Sequence, residues 1–132
     1  MIRVFLDANI LFSAAWREGS GLVRLWGMPD IQLVTSPYAL TEAQRNIQIK
    51  RPAAQQRFSS LLEKVEISPA TAALSAVYGL PEKDCPILEA AVGSGCTVLL
   101  TGDVTHFGHL LGTEADGVQV MTVSMFLQLE AA

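Results

Sequence analysis

The sequence predicts an α/β fold in which helices cover both faces of a parallel sheet. Half of the residues are hydrophobic and only 17% are charged, a balance typical of strands that are buried on both faces. Two short apolar runs, residues 2–6 and 97–101, are followed at once by aspartate-containing turns, and such runs predict buried parallel strands. At 132 residues the chain is expected to form one domain, residues 1–132, around a single core.

The first part of the chain predicts a βαβ unit. Residues 2–6 predict the first and central strand, and a helix is expected from about Ile10. The glycines at 19–21 interrupt that helix, which residues 22–26 continue. Residues 31–35 predict the second strand.

The remaining elements follow from start and stop signals. Ser36 and Pro37 predict a helix start, because the serine oxygen can accept a free N–H and proline has no N–H to lose. Ser124 is expected to cap a closing helix. Helices are predicted at residues 52–63, 69–78, 84–92, 107–111 and 125–130, and strands at residues 65–67, 97–101 and 118–122.

Composition also bounds the class of protein. No apolar run approaches the roughly 18 residues of a membrane span, and Met1 leads straight into a strand, so a cytoplasmic protein is expected. Cys85 and Cys96 form no CxxC pair and are expected to be small buried hydrophobes. The net charge of −4 argues against a broad basic face for nucleic acid, although bound cations would reverse the local charge at a cluster of acids.

Four acidic residues predict a metal site. Asp7 and Asp103 follow buried strands, whose carboxyl ends are where open α/β sheets place their chemistry. Glu42 lies in the second turn of the helix after Ser36, and Asp84 stands at the start of another predicted helix. Carboxylates from separate segments suit Mg²⁺ or Mn²⁺, and such ions support the cleavage of phosphodiesters.

Three of these acids also have a purely structural interpretation. Asp7 and Asp84 can cap the helices that follow them, and Glu42 can be a solvated residue on a helix face. Two polar neighbours extend the candidate site, because Asn9 and Thr101 can orient a ligand by hydrogen bonds. Asn9 can equally be a turn residue.

Basic and aromatic residues complete the list of candidates. His106 can contact phosphate or titrate, or be an ordinary loop histidine. Four basic residues lie close together in the sequence and form a basic cluster: Arg45, Lys50, Arg51 and Arg57. This cluster can bind an RNA backbone or form a solvated helix face. Phe58 is the only aromatic residue near it in sequence, while Trp16 and Trp26 are expected in the core or at an interface.

With these residues in place, the chain resembles the PIN domain family, the fold of VapC-type toxin ribonucleases and of several RNA-processing nucleases. Residues 5–11, FLDANIL, resemble the opening D-x-N or D-x-S block of the family, and residues 98–103, VLLTGD, resemble its T-x-D block. Residues 84–91, DCPILEAA, resemble the segment that carries the third acid. The resemblance spans essentially the whole chain.

The resemblance implies a fold, an activity and partners. The fold is a three-layer α/β/α sandwich with a central parallel sheet of four or five strands. The activity is cleavage of single-stranded RNA by water activated at Mg²⁺ or Mn²⁺. Asn9 and Thr101 would support the metal ligands, which would be Asp7, Glu42, Asp84 and Asp103. A homodimer and an antitoxin protein whose tail covers the site are the implied partners. Residues 104–106 lack the further acid that family members often carry there, which leaves one or two metals open.

Two other functions compete with a ribonuclease. A phosphatase of the haloacid dehalogenase type also ends its first strand in an aspartate, but it needs a second aspartate two residues later as general acid, and here Asn9 stands in that position. The other alternative is a PIN-like module that binds RNA or a protein without cutting, which the negative net charge and the missing acid favour.

Overall fold

A twisted sheet runs through the middle of the molecule with helices packed on its faces. The computed structural model describes residues 1–16 and 18–131, and the side chain of Ala131 is not described. The strands of the described residues are β1 (Ile2–Leu6), β2 (Ile31–Thr35), β3 (Val65–Ile67), β4 (Val98–Leu100), β5 (Glu114–Ala115) and β6 (Val118–Met121). The α-helices there are α1 (Ala8–Trp16), α2 (Pro37–Lys50), α3 (Gln55–Leu62), α4 (Cys85–Gly93), α5 (Val104–Phe107) and α6 (Val123–Ala131).

The strand order is β3-β2-β1-β4-β6-β5. Strands β1, β2, β3, β4 and β6 run parallel to one another, which confirms the predicted α/β class and the central position of β1. Val4 pairs with Leu33 of β2 on one side and with Val98 of β4 on the other. The carboxyl ends of β1 and β4 therefore meet at the same edge of the sheet.

An antiparallel edge strand was not expected from the sequence. Strands β5 and β6 pair antiparallel across the two-residue turn Asp116-Gly117, where both φ angles are positive, at 48° and 84°. This is the backbone of a two-residue hairpin, for which Asp-Gly is a preferred sequence. The signal was present, but Glu114–Ala115 is too short to show a strand pattern.

The core is built from the central strands and the helix faces that cover them. Val4, Phe5 and Leu6 of β1 are completely buried, as are Leu99 and Leu100 of β4. Burial on both faces explains why these strands read as continuous apolar runs rather than as alternating patterns.

The predicted helix at residues 69–78 is wrong. Residues 68–81 form a segment without regular secondary structure, here called the strap, that contacts α4. The amide of Ala72 donates to the carbonyl of Glu89 at 3.0 Å, and the amide of Ser75 donates to the carboxylate of Asp116 at 2.8 Å. Tertiary hydrogen bonds thus replace the helical ones, and they outweigh the helix propensity of this alanine-rich stretch.

Other boundaries differ by local geometry. Residues 22–26 belong to a 3₁₀ helix, Gly21–Gly27, rather than continuing α1. Ser36 caps α2 as predicted, accepting from the amide of Ala39 at 3.1 Å. The capping oxygen of α6 belongs to Thr122, which accepts from the amide of Met125 at 3.1 Å, so the predicted cap at Ser124 is wrong.

Within the described ranges, 1–16 and 18–131, no helix combines the length and the apolar character that a membrane crossing requires.

Gly93 offers a test of the strap. A Cβ atom at this position would lie 2.3 to 2.6 Å from backbone atoms of Thr71, and a backbone cannot move aside as a flexible side chain can. We expect Gly93→Ala to lower the free energy of unfolding by about 1–3 kcal/mol, as overpacking does, in urea denaturation. Gly108→Ala is the matched control, because a Cβ there meets nothing within 4 Å; equal effects of the two variants would contradict the close crossing.

Candidate active site

Asp7 lies directly after β1 and is almost completely buried, with 5% of its surface exposed. Its Oδ1 accepts from the amide of Ala8 at 2.7 Å. Its Oδ2 accepts from the hydroxyl of Thr101 at 2.8 Å and from the side-chain amide of Asn9 at 3.2 Å. A carboxylate has about four lone-pair positions, so these three bonds hold Asp7 rigidly and leave one position for a ligand.

Thr101 and Asn9 join the turns after β1 and β4. Thr101 is completely buried, and besides donating to Asp7 its hydroxyl accepts from the amide of Asp103 at 3.0 Å. The side-chain oxygen of Asn9 accepts from the amide of Gly102 at 2.8 Å. Asn9 is therefore a bridge between the two turns rather than a turn residue.

A second group of side chains converges beside these turns. The Nδ1 atom of His106 lies 2.9 Å from an oxygen of Asp84 and 2.9 Å from an oxygen of Asp103. One ligand atom from each of the three residues falls within 4.8 Å of the others. The structure thus brings together two of the predicted ligands, Asp84 and Asp103, and His106, which the sequence offered as a supporting residue.

The contacts in this cluster are close but are not aligned as hydrogen bonds. Oδ2 of Asp84 and Nδ1 of His106 are buried atoms without a hydrogen-bond partner among the described residues. Buried polar atoms without partners are costly, and a cation held between them would satisfy both. The donor set of two carboxylates and one imidazole is suitable for a divalent metal ion.

Helix capping accounts for one of the two clustered aspartates but not for the other. The side chain of Asp84 makes no capping hydrogen bond to α4, so capping does not explain this residue. Asp103 does cap α5, accepting from the amide of His106 at 3.0 Å through Oδ1, while its Oδ2 faces the ring of His106. Asp103 therefore serves both as a cap and as a member of the cluster.

Glu42 lies at the margin of the candidate active site. It is exposed and is not one of the three clustered ligands, but it lines a cleft of about 470 Å³ together with Tyr38, Arg45, Lys83 and Asp84. Its charge helps to raise the pKa of Asp7, and its position in the cleft places it beside Asp84.

Burial is the main cause of the raised pKa of Asp7. Desolvation raises the pKa of its carboxyl to about 6, against the hydrogen bonds from Thr101 and Ala8, and the nearby charges of Glu42 and Asp84 raise it further. An acid that resists ionisation in this way gains from a nearby cation, since the cation would favour the charged form.

Two residues in the cleft were missed by sequence reasoning. The hydroxyl of Tyr38 donates to the carbonyl of Lys83 at 2.6 Å and so ties the start of α2 to the turn that presents Asp84. Desolvation first, then the charges of Glu42 and Asp84, raise the pKa of Tyr38. Neither Tyr38 nor Lys83 belongs to a motif. Lys83 directly precedes Asp84 and Tyr38 lies one helical turn before Glu42, but only the fold brings the two residues together.

The predicted basic cluster divides into separate groups. Arg45 lines the cleft. Arg57 donates to the carbonyls of Ala15 and Trp16 at 3.1 Å and thereby caps the end of α1. Lys50 lies over the ring of Phe12, and Arg51 lies over the ring of Trp16.

The aromatic and cysteine predictions are partly confirmed. Phe58 is buried in the core and cannot stack on a base. Trp16 is 36% exposed, whereas Trp26 packs against the core and its indole N–H donates to the carbonyl of Leu61. Cys96 is buried as predicted, but Cys85 is only half-buried.

With the geometry described, comparison with known proteins identifies the family. The sequence profile of the PIN domain matches residues 3–105. The chain belongs to the PIN domain family. This PIN domain has no match among curated protein sequences.

Solved structures with the same fold come from bacterial VapC proteins and VapBC complexes. VapBC2 from Rickettsia felis, bound to a DNA fragment from its promoter, matches with a TM-score of 0.68 and 16% identity over 92% of this chain and 98% of that chain. VapBC-1 from nontypeable Haemophilus influenzae matches with a TM-score of 0.58 and 15% identity over the same shares, 92% and 98%. VapC20 from Mycobacterium tuberculosis, a sarcin-ricin loop cleaving toxin, matches with a TM-score of 0.55 and 15% identity over 80% and 94%. At these identities the likeness concerns the fold, and it confirms the predicted mostly parallel sheet flanked by helices.

The raised pKa of Asp7 gives a prediction for stability in the presence of a chelator. Its folded-state value of about 6 exceeds the ordinary 3.8, so the folded protein holds the proton more tightly and the free energy of unfolding falls as the pH rises from about 4 to about 6. The loss amounts to about 3 kcal/mol, at 1.36 kcal/mol per pH unit.

Asp7→Asn should remove this loss. The variant should gain stability relative to the natural protein between about pH 4 and pH 6, with a constant difference above that range, in denaturation curves measured at several pH values. Asp30→Asn, at an exposed aspartate, controls for the change in net charge. A difference between Asp7→Asn and the natural protein that does not vary with pH would show that the carboxyl of Asp7 ionises normally.

Proposed function

We propose that this PIN domain is a metal-dependent endoribonuclease that hydrolyses phosphodiester bonds of single-stranded RNA. The observation that carries the proposal is the cluster at the carboxyl edge of the sheet, where ligand atoms of Asp84, Asp103 and His106 lie within 4.8 Å of one another. The buried Asp7 is joined to the same turn through Thr101. One carboxylate would have a structural explanation, but two carboxylates and an imidazole that include buried atoms without hydrogen-bond partners favour a cation site.

The proposed ligands are Asp84 and Asp103, with His106 beside them and the free lone pair of Asp7 completing the set. Mg²⁺ or Mn²⁺ bound there would supply a nucleophilic water near neutral pH and would neutralise charge on the phosphate. Glu42, exposed at the rim, has room to hold a water of such an ion or to accept a proton. Thr101 and Asn9 fix the orientation of Asp7 through their hydrogen bonds, which makes them positioning residues.

Cations around the acids suit a polyanionic substrate. Arg45 and Lys83 line the cleft that also contains Glu42 and Asp84, and in the described part of the chain neither of them forms an ion pair with a carboxylate. Both are thus free to contact phosphates on either side of the scissile bond. This local arrangement answers the objection from the net charge of −4.

The biological setting that we propose is a toxin–antitoxin pair. Two of the similar structures are VapBC complexes, and a third is a toxin that cleaves the sarcin-ricin loop. By analogy with the VapBC complexes, this chain would bind an antitoxin protein, and we add to the proposal the homodimer that the family resemblance implies. A non-cutting binding module remains the alternative outcome of the experiments below.

Cleavage of a fluorescently labelled unpaired RNA in Mg²⁺ or Mn²⁺ tests the activity. We expect cleavage that a chelator abolishes, and a loss of at least about a hundredfold for Asp84→Asn and Asp103→Asn, since removing a group that stabilises charge in a transition state costs this much. Asp30→Asn is the matched control outside the cleft. Duplex RNA of the same sequence should be cut poorly.

Metal binding is tested separately by thermal unfolding. Mn²⁺ should raise the melting temperature of the natural protein, because a ligand that binds only the folded state stabilises it. Asp84→Asn and Asp103→Asn should lose most of this increase, and Glu42→Gln should lose less. An increase that survives both of the first two variants would rule out the proposed ligand set, whereas intact metal binding without RNA cleavage would favour the non-cutting module.

The toxin assignment predicts arrested growth on expression in bacteria. Asp7→Asn or Asp103→Asn should restore growth while the protein still accumulates, because growth arrest would then depend on the acids rather than on protein load. The measurement is colony formation together with the amount of soluble protein. Equal growth with the natural protein and both variants would argue for a nuclease without a toxin role.

A further inference from the structure

The outward face of α1 continues from the candidate active site along the protein surface. Asn9, Phe12, Ser13 and Trp16 are spaced by three and four residues and therefore share one side of the helix. Asn9 belongs to the site through its bonds to Asp7 and Gly102. The rings of Phe12 and Trp16 lie next to each other, with centroids 5.1 Å apart and a tilt of 54°.

One cation lies over each of these rings. The Nζ atom of Lys50 lies 5.9 Å from the ring centroid of Phe12, and the guanidinium carbon of Arg51 lies 4.7 Å from that of Trp16. In the described residues neither cation has a carboxylate partner, and Nε of Arg51 is buried without a hydrogen bond. Two uncompensated positive charges on aromatic rings, in a chain of net charge −4, favour an anionic partner that also offers flat rings.

We propose that this surface, the aromatic-basic platform of Phe12, Trp16, Lys50 and Arg51, binds unpaired bases and phosphates of the RNA strand beside the bond that is cut. The proposal rests on the nuclease function and extends it to substrate recognition. Bases stack on aromatic rings and on arginine guanidinium planes without regard to sequence, while lysine neutralises the backbone.

Distance and chemistry both support this occupant. From Ala8 to Trp16 the helix rises about 12 Å at 1.5 Å per residue, which leaves room for a short stretch of the strand next to the site. An apolar protein helix on the same surface would leave the charges of Lys50 and Arg51 buried without partners, which is costly. A nucleic acid strand supplies phosphates for the cations and bases for the rings together.

Binding to a uridine oligonucleotide of about twelve nucleotides, a length within the usual site sizes, tests the platform without cleavage. The measurements use the Asp103→Asn background and fluorescence anisotropy. Trp16→Leu should weaken binding by roughly tenfold, and Trp16→Phe should retain most of the affinity because it keeps a stacking ring. The same variants should not differ on a strand of equal length that lacks bases. Circular dichroism verifies that each variant is folded.

Lys50 is tested by the salt dependence of binding. Lys50→Ala should reduce the slope of the logarithm of the binding constant against the logarithm of salt concentration by about 0.7, the value for one phosphate contact on a single strand. Lys64→Ala removes the same charge from an exposed lysine in the turn between α3 and β3, and it should leave the slope unchanged.

The outcomes separate this proposal from the nuclease proposal. RNA affinity and salt slope that are unchanged in Trp16→Leu and Lys50→Ala would overturn the platform, whether or not the protein cleaves RNA. Binding that depends on Trp16 and Lys50, in a protein that never cleaves, would support the platform and refute the nuclease.

Discussion

One buried hydroxyl group holds the candidate site together. Thr101 donates to Asp7 and accepts from the amide of Asp103, so one side chain links the carboxylate after β1 to the turn after β4. The sheet already joins these strand ends, since the amide of Asp7 donates to the carbonyl of Leu100 at 3.1 Å, and the bonds through Thr101 and Asn9 extend this connection to the side chains of the site. Valine in this position would fill the same space, but the amide of Asp103 would lose its acceptor and Asp7 would lose one of its three donors.

The acids at this edge oppose the stability of the fold. Asp7 lies in a low-dielectric environment that disfavours its charge, and Glu42 and Asp84 add to that cost. Natural proteins keep such destabilising arrangements mainly where function needs them. This destabilisation is local, because the strand residues under the site are apolar and completely buried: Phe5, Leu6, Leu99 and Leu100.

The sequence predicted some parts of the molecule better than others for physical reasons. Strand ends followed by acids are visible as patterns, so Asp7 and Asp103 were placed from residues alone, and so was the parallel sheet. His106 was expected near Asp103 from its position in the sequence, and its amide is bonded to the Asp103 cap, but its contact with Asp84 is tertiary and no spacing predicts it. The strap reads as a helix because its composition favours one, and the fold overrides this preference with hydrogen bonds to distant residues such as Glu89 and Asp116. The split of the basic cluster depends on how α2 crosses α1, which is likewise a tertiary property.

The two ends of the sheet have a consequence for how this chain meets other molecules. One end is β3, with three residues, and the other is β5, with two, and each carries an exposed glutamate, Glu66 or Glu114. Very short, charged edge strands are a known protection against pairing with strands of another chain. Association with a second copy or with another protein is therefore expected to use helical surfaces, and the sheet itself would remain the same size in any assembly.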